Sequence, residues 1–317
     1  MVLGEALAAK GWTVIAALCD VNFGQKLSAS AEIEVAMIGE YAAAALIEAV
    51  PGGCDVLIVD HYGLDAAFET DCRGWARRIL VIDDLADRRH DCDMLVDQTP
   101  KREISAYRGL VPTGCRILAG PNYALLHPNF ARLREPRRPT ARRVERGLIS
   151  LGATDPDDMT SIAIEAFQCS RLALRLDIIL GAGAPYIERV TRAAANFANG
   201  KATVHVEVND PASIVRHADI AIGAGGVSSL ERCCLGIPSL LVSLADNQMG
   251  NVLGIVEAGA AVFVGKKADV GTSLLASRLR NLANDKGRRD IMVTSARNLC
   301  DGLGRDRIAG FLVGQAV

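Results

Sequence analysis

The stretch Asp219-Ile220-Ala221-Ile222-Gly223-Ala224-Gly225-Gly226-Val227-Ser228-Ser229-Leu230-Glu231-Arg232-Cys233-Cys234-Leu235-Gly236-Ile237-Pro238-Ser239-Leu240-Leu241-Val242-Ser243-Leu244-Ala245-Asp246-Asn247-Gln248 decides the fold. Asp219 to Ile222 is an apolar run that reads as a strand. Gly223, Gly225 and Gly226 close it. Ser228 to Leu235 follows as a helix, stopped by Gly236 and Pro238. Ser239 to Leu244 is a second strand. Strand, glycine turn, helix and strand form a βαβ unit. Its turn lets backbone N–H groups approach a ligand with no Cβ in the way. The helix start behind it attracts phosphate through unpaired N–H groups and its dipole. Ser228 and Ser229 add hydroxyl donors. Glu231 is close enough to accept from sugar hydroxyls. The plainer reading is a turn that only packs a helix on a sheet.

Outward from this unit the pattern repeats. Before residue 133, short apolar runs at Thr13–Cys19, Asp55–Asp60, Ile79–Asp83, Met94–Val96 and Arg116–Ala119 read as strands, with helices at Val2–Lys10 and Tyr41–Val50. After residue 146, Gly147–Leu151, Leu176–Leu180, Thr203–Val206, Asp219–Ile222, Ser239–Val242 and Ala261–Val264 do the same. Between them lies Leu133-Arg-Glu-Pro-Arg-Arg-Pro-Thr-Ala-Arg-Arg-Val-Glu-Arg146. Its prolines and arginines cannot pack as a core element, so 136–146 reads as a linker. The expected fold is α/β: two Rossmann-like domains facing a cleft, at 1–135 and 147–317, with ligands at the carboxyl ends of strands. The last helical run, Ile291–Val317, is expected to pack back on the first domain.

Composition excludes several classes. The chain has 317 residues, half of them hydrophobic, and 4% aromatic. Its net charge of −2 and the lack of aromatics among the linker arginines argue against a nucleic-acid partner. Nine scattered cysteines, without a CxxC pair, read as reduced thiols in a cytoplasmic protein. No apolar run reaches membrane-spanning length. No metal site and no cofactor are expected.

Other polar residues fall at predicted strand ends. Asp60-His61-Tyr62 follows the strand ending at Val59. Tyr62 is placed to hold a sugar or a water, and strand-end packing is the alternative. Asp83-Asp84 follows the next strand. The favoured reading is structural, one carboxylate capping the turn and pairing with Arg88 or Arg89. Gly152 to Asp155, with Thr154, forms a second glycine turn suited to phosphate or nucleoside, with Asp155 also able to cap a helix that has Pro156 at its first position. Asp246 or Asn247 can cap the helix beginning near Gln248.

Several blocks carry a family resemblance. They are Val59-Asp60-His61-Tyr62-Gly63-Leu64-Asp65; Val81-Ile82-Asp83-Asp84-Leu85-Ala86 with Arg88, Arg89, His90, Cys92 and Asp93; and Gly120-Pro121-Asn122-Tyr123-Ala124-Leu125-Leu126 with Phe130. Ile149-Ser150-Leu151-Gly152-Ala153-Thr154-Asp155-Pro156, Gly223 to Gly226 through Pro238, and Asn247-Gln248 complete them. In this order they resemble the hydrolases that release UDP from an amino-sugar nucleotide in pseudaminic acid biosynthesis. Those are relatives of two-domain (GT-B-like) glycosyltransferases. The resemblance implies a metal-independent hydrolase that cleaves the anomeric C–O bond of a UDP-linked diacetamido-trideoxy sugar with inversion. It implies roles for Tyr62 and Asn247 in catalysis. It implies substrate contacts from Asp60, His61, Gly152, Thr154, Asp155, Gly225, Gly226, Ser228, Ser229, Glu231, Asn247 and Gln248. The family's histidine-bearing glycine turn, which precedes the first helix, has no counterpart here, and an upstream segment supplying it is expected. Asp157-Asp158 stands where the family tends to have Asn. A glycosyltransferase on the same fold, and a non-catalytic UDP-sugar binder, are the alternatives.

Overall fold

The computed structural model describes residues 1–20, 33–134 and 140–314. The chain forms two compact units. One comprises Met1–Leu125 with Leu303–Val317, the other Leu126–Gly302. The division falls at Leu125, ahead of the boundary expected at 135. Residues 136–139 of the expected linker lie outside the described residues, and Arg146 already opens a strand.

The N-terminal unit begins with helix α1 (Val2–Ala8) and strands β1 (Ile15–Leu18) and β2 (Glu34–Met37), which pair in parallel. After α2 (Ala43–Ala49) come β3 (Leu57–Val59), α3 (Ala66–Asp71), β4 (Ile79–Ile82), β5 (Met94–Asp97) and β6 (Arg116–Ala119). β3 to β6 form a parallel sheet in sequence order. Ile79, Leu80 and Val81 of β4 are all buried, as a sheet covered on both faces requires. On α1, Leu3, Ala6 and Leu7 fall at helical spacing and pack with Ile308, Ala309 and Leu312 of the final helix, Gly304–Leu312. The return of the chain therefore starts at Leu303, later than the expected Ile291.

The C-terminal unit holds α4 (Pro128–Leu133), β7 (Arg146–Ser150), α5 (Met159–Ser170), β8 (Leu174–Leu180), α6 (Ile187–Ala195), β9 (Gly200–Val206) and α7 (Pro211–Val215). Then follow β10 (Ile220–Ala224), α8 (Val227–Leu235), β11 (Ser239–Ser243), α9 (Met249–Glu257), β12 (Ala261–Lys266), α10 (Thr272–Asn284) and α11 (Lys286–Leu299). The six strands are parallel in the order β12-β11-β10-β7-β8-β9. Leu148, Ile149, Ile220, Ala221, Ile222, Leu240, Leu241 and Val242 at the centre are at most 1% exposed. That continuous apolar burial is what the valine, isoleucine and leucine runs foretell.

Candidate functional site

The strand order places the site. From β7 the chain builds β8 and β9 on one side, then returns to build β10, β11 and β12 on the other. Progress reverses between β7 and β10. In an open parallel sheet, a crevice opens outside the carboxyl ends at such a switch point. The two glycine turns of the sequence sit there: Gly152 after β7, and Gly225-Gly226 after β10.

The Gly225-Gly226 turn is held from below. The Gly225 N–H donates to Gln248 Oε1 at 3.3 Å, and the Leu244 N–H donates to the same oxygen at 3.1 Å. Both partners are donors, so the carboxamide oxygen must face them and its NH2 faces away. Asn251 Nδ2 donates to Gly225 O, to Gly226 O and to Ser229 Oγ. Ser229 Oγ donates in turn to Gly226 O at 2.6 Å. Ser229 is 1% exposed, and its hydroxyl proton is engaged inside the turn. Gly225 likewise gives its N–H to Gln248. What stays open is the helix start. The N–H groups of Gly226, Val227 and Ser228 have no acceptor among the described residues. Ser228 Oγ accepts from Arg232 Nη1 at 3.3 Å, which leaves its own proton free to point outward.

Glu231 is partly exposed, and its carboxylate makes no hydrogen bond among the described residues. Burial pushes its carboxyl up to about 7, with Arg232 opposing. A carboxyl so placed has all its acceptor positions available. Asp246 and Asn247 lie exposed in the short helical turn Asp246–Gln248, with Asp246 paired to Lys266 at 2.7 Å.

At the other turn, Gly152 takes φ +97°, which glycine adopts without strain. Gly152, Ala153 and Thr154 are exposed. Asp155 is 4% exposed, and its two oxygens accept from the N–H groups of Met159 at 3.1 Å and Thr160 at 2.8 Å. It caps α5 through these two bonds. The helix starts at Met159 and not at Pro156, because Asp155 and Asp158 both hold positive φ and break the first turn.

In the N-terminal unit, Asp60, His61 and Tyr62 follow β3 and are exposed. His61 Nδ1 accepts from the Gly63 N–H at 3.0 Å, so the imidazole carries its proton on Nε2 when neutral. Tyr62 donates to Asp84 Oδ2 at 3.2 Å. Burial raises the Asp84 carboxyl, and the Tyr62 hydrogen bond opposes that shift. Asp83 accepts from the Ala86 N–H, Arg88 and Tyr107, so it caps the turn and pairs with Arg88 as expected. Among the described residues, no group of three or more His, Cys, Asp or Glu is arranged to hold a metal, and no helix is long and apolar enough to cross a membrane.

A cavity of about 560 Å³ lies at the opposite edge of the six-stranded sheet, where Arg146 and Arg175 stand near the starts of β7 and β8 beside Arg134, Arg216 and Arg297. It has no glycine turn and lies away from the carboxyl edge, so it is not the site the switch point marks.

Solved structures share the fold of this chain. The crystal structure of Acinetobacter baumannii MurG covers 99% of this chain and 94% of its own, with a TM-score of 0.68 at 14% identity. That of CalG4, the calicheamicin glycosyltransferase, covers 99% and 93%, with a TM-score of 0.63 at 15% identity. The chain has the GT-B fold. Sequence relatives point the same way. The spore coat polysaccharide biosynthesis protein SpsG of Bacillus subtilis is 28% identical over 209 residues, 65% of this chain and 60% of SpsG. The UDP-2,4-diacetamido-2,4,6-trideoxy-beta-L-altropyranose hydrolase of Campylobacter jejuni is 35% identical over 77 residues, 24% of this chain and 28% of that enzyme. A UDP-N-acetylglucosamine--N-acetylmuramyl-(pentapeptide) pyrophosphoryl-undecaprenol N-acetylglucosamine transferase of Xanthomonas oryzae is 34% identical over 134 residues, 39% of this chain and 30% of the transferase. The chain thus spans less than two thirds of each of these relatives. No protein-family model matches it.

Arg232 and Asn251 are the residues that sequence reading missed. Asn251 lies three positions past the quoted stretch, one helical turn beyond Gln248, and that spacing was the available signal.

Proposed function

We propose that this chain is a UDP-sugar-dependent enzyme that breaks the anomeric C–O bond and passes the sugar to an acceptor hydroxyl. The observation that carries this is the set of open N–H groups of Gly226, Val227 and Ser228 at the β7/β10 switch point. Such a helix start binds a diphosphate without a metal. It also stabilises the charge that develops on the diphosphate as the bond breaks. Ser228 Oγ and Gln248 Nε2 supply further donors, and Glu231 accepts from the ribose hydroxyls. The acceptor oxygen attacks from the face opposite the diphosphate and gives up its proton to solvent, UDP departs with the bonding electrons, and the anomeric centre is inverted. Transfer is favoured over hydrolysis because glycosyltransferases predominate among the proteins this chain is similar to.

Hydrolysis is the second reading, and the 35% identity to the Campylobacter jejuni hydrolase over 77 residues favours it. Water then replaces the acceptor. UDP release from a panel of UDP-amino sugars, with and without alcohol acceptors and with EDTA, separates the two. Transfer predicts release that depends on an acceptor and survives EDTA. Acceptor-independent release selects hydrolysis. Loss with EDTA overturns the metal-free mechanism.

A further inference from the structure

Arg232 is 1% exposed, yet it makes no ion pair among the described residues. It stands one turn after Ser228, and its side chain folds back toward the start of α8. Nη2 donates to Ala224 O at 2.6 Å, at the end of β10. Nη1 reaches Ser150 O at 3.4 Å, at the end of β7, and Ser228 Oγ at 3.3 Å. Nε has no partner. The guanidinium therefore spans the two strands of the switch point, directly beneath the turn. Gly223 makes room for it, since a Cβ there would lie 2.3 Å from Arg232 Cζ.

This is a costly place for a cation. A buried charge without a counter-ion is strongly disfavoured, and the start of a helix is its positive end. Arg289 shows the contrast. It is equally buried, but donates to Leu282 O and Ala283 O at the end of α10, where carbonyls and dipole are negative. Arg232 has carbonyl partners, and the neighbouring Glu231 carboxyl, itself raised by burial, acts on it without forming an ion pair. The missing negative charge is one that a bound anion supplies.

We propose that Arg232 is a positioning residue for the diphosphate. By donating to Ser228 Oγ it occupies a lone pair of that hydroxyl and turns its proton outward, and its charge favours an anion over the turn. This rests on the nucleotide reading above and adds to it a discrimination for diphosphate over the bare nucleoside.

The test is calorimetric titration of wild type, R232K, R232M and S228A with UDP and with uridine, each variant checked by thermal melting. Wild type binds UDP. R232M weakens UDP about 10–100-fold, the scale of hydrogen bonds to charged groups, and changes uridine by less than about 2-fold. R232K, which keeps the charge but loses the fork, falls between. S228A weakens UDP and spares uridine. Equal losses for UDP and uridine in R232M would show a merely structural role and overturn the proposal. Should R232M not melt cooperatively, unchanged UDP affinity in both R232K and S228A overturns it instead. A wild type that fails to bind UDP refutes the nucleotide reading itself.

Discussion

Glu231 carries the sharpest residue-level consequence. Its folded pKa of about 7 exceeds the ordinary 4.5, so the folded chain holds a proton that the unfolded chain releases between those values. Stability must then fall as pH rises through that window, by up to about 3 kcal/mol at 1.36 kcal/mol per unit. Urea denaturation at pH 5 and pH 8 should show this loss in wild type and a smaller one in E231Q. An identical loss in both would mean that Glu231 is not the titrating group. In binding, E231A should weaken UDP by about 1.5–3 kcal/mol, measured by calorimetry at pH 8. Equal affinity would remove Glu231 from the site. The glycine turn and the helix behind it were legible in the sequence, because an apolar run closed by glycines before a helical run has only a few physical uses. The division of labour between Ser228 and Ser229 was not. It depends on Asn251 and Arg232, which reach the turn from α9 and from within α8.

At the scale of elements, apolar runs marked nearly all the strands, since parallel strands buried on both faces must be apolar throughout. The run at Glu34–Met37 was missed: four residues with a charged end carry little pattern. The start of α5 was misplaced for a different reason. Pro156 is a good first helical residue, but the positive φ of Asp155 and Asp158 delays the helix to Met159, and only tertiary packing sets those angles. Asp155 then becomes a cap for two buried N–H groups. D155A should lose about 1–2 kcal/mol of stability in denaturant unfolding, the upper range for lost caps. UDP affinity should change little, because Asp155 is buried and both of its oxygens are engaged by the start of α5. A large, selective loss of UDP binding at unchanged stability would contradict the capping role.

At the scale of the whole molecule, what the sequence could not show was strand order. The order of strands along the chain says nothing about which side of β7 each joins. The reversal between β7 and β10 turns two separate glycine turns into neighbours, and it is the strongest reason to place a nucleotide there. The arginine-lined cavity at the other sheet edge offers charge but neither glycine turn. A crystal structure of the chain with UDP decides between them. The diphosphate should lie within hydrogen-bond distance of the Gly226, Val227 and Ser228 N–H groups, with the ribose against Glu231. UDP seated among Arg146, Arg175 and Arg216, with the carboxyl edge empty, would contradict the account.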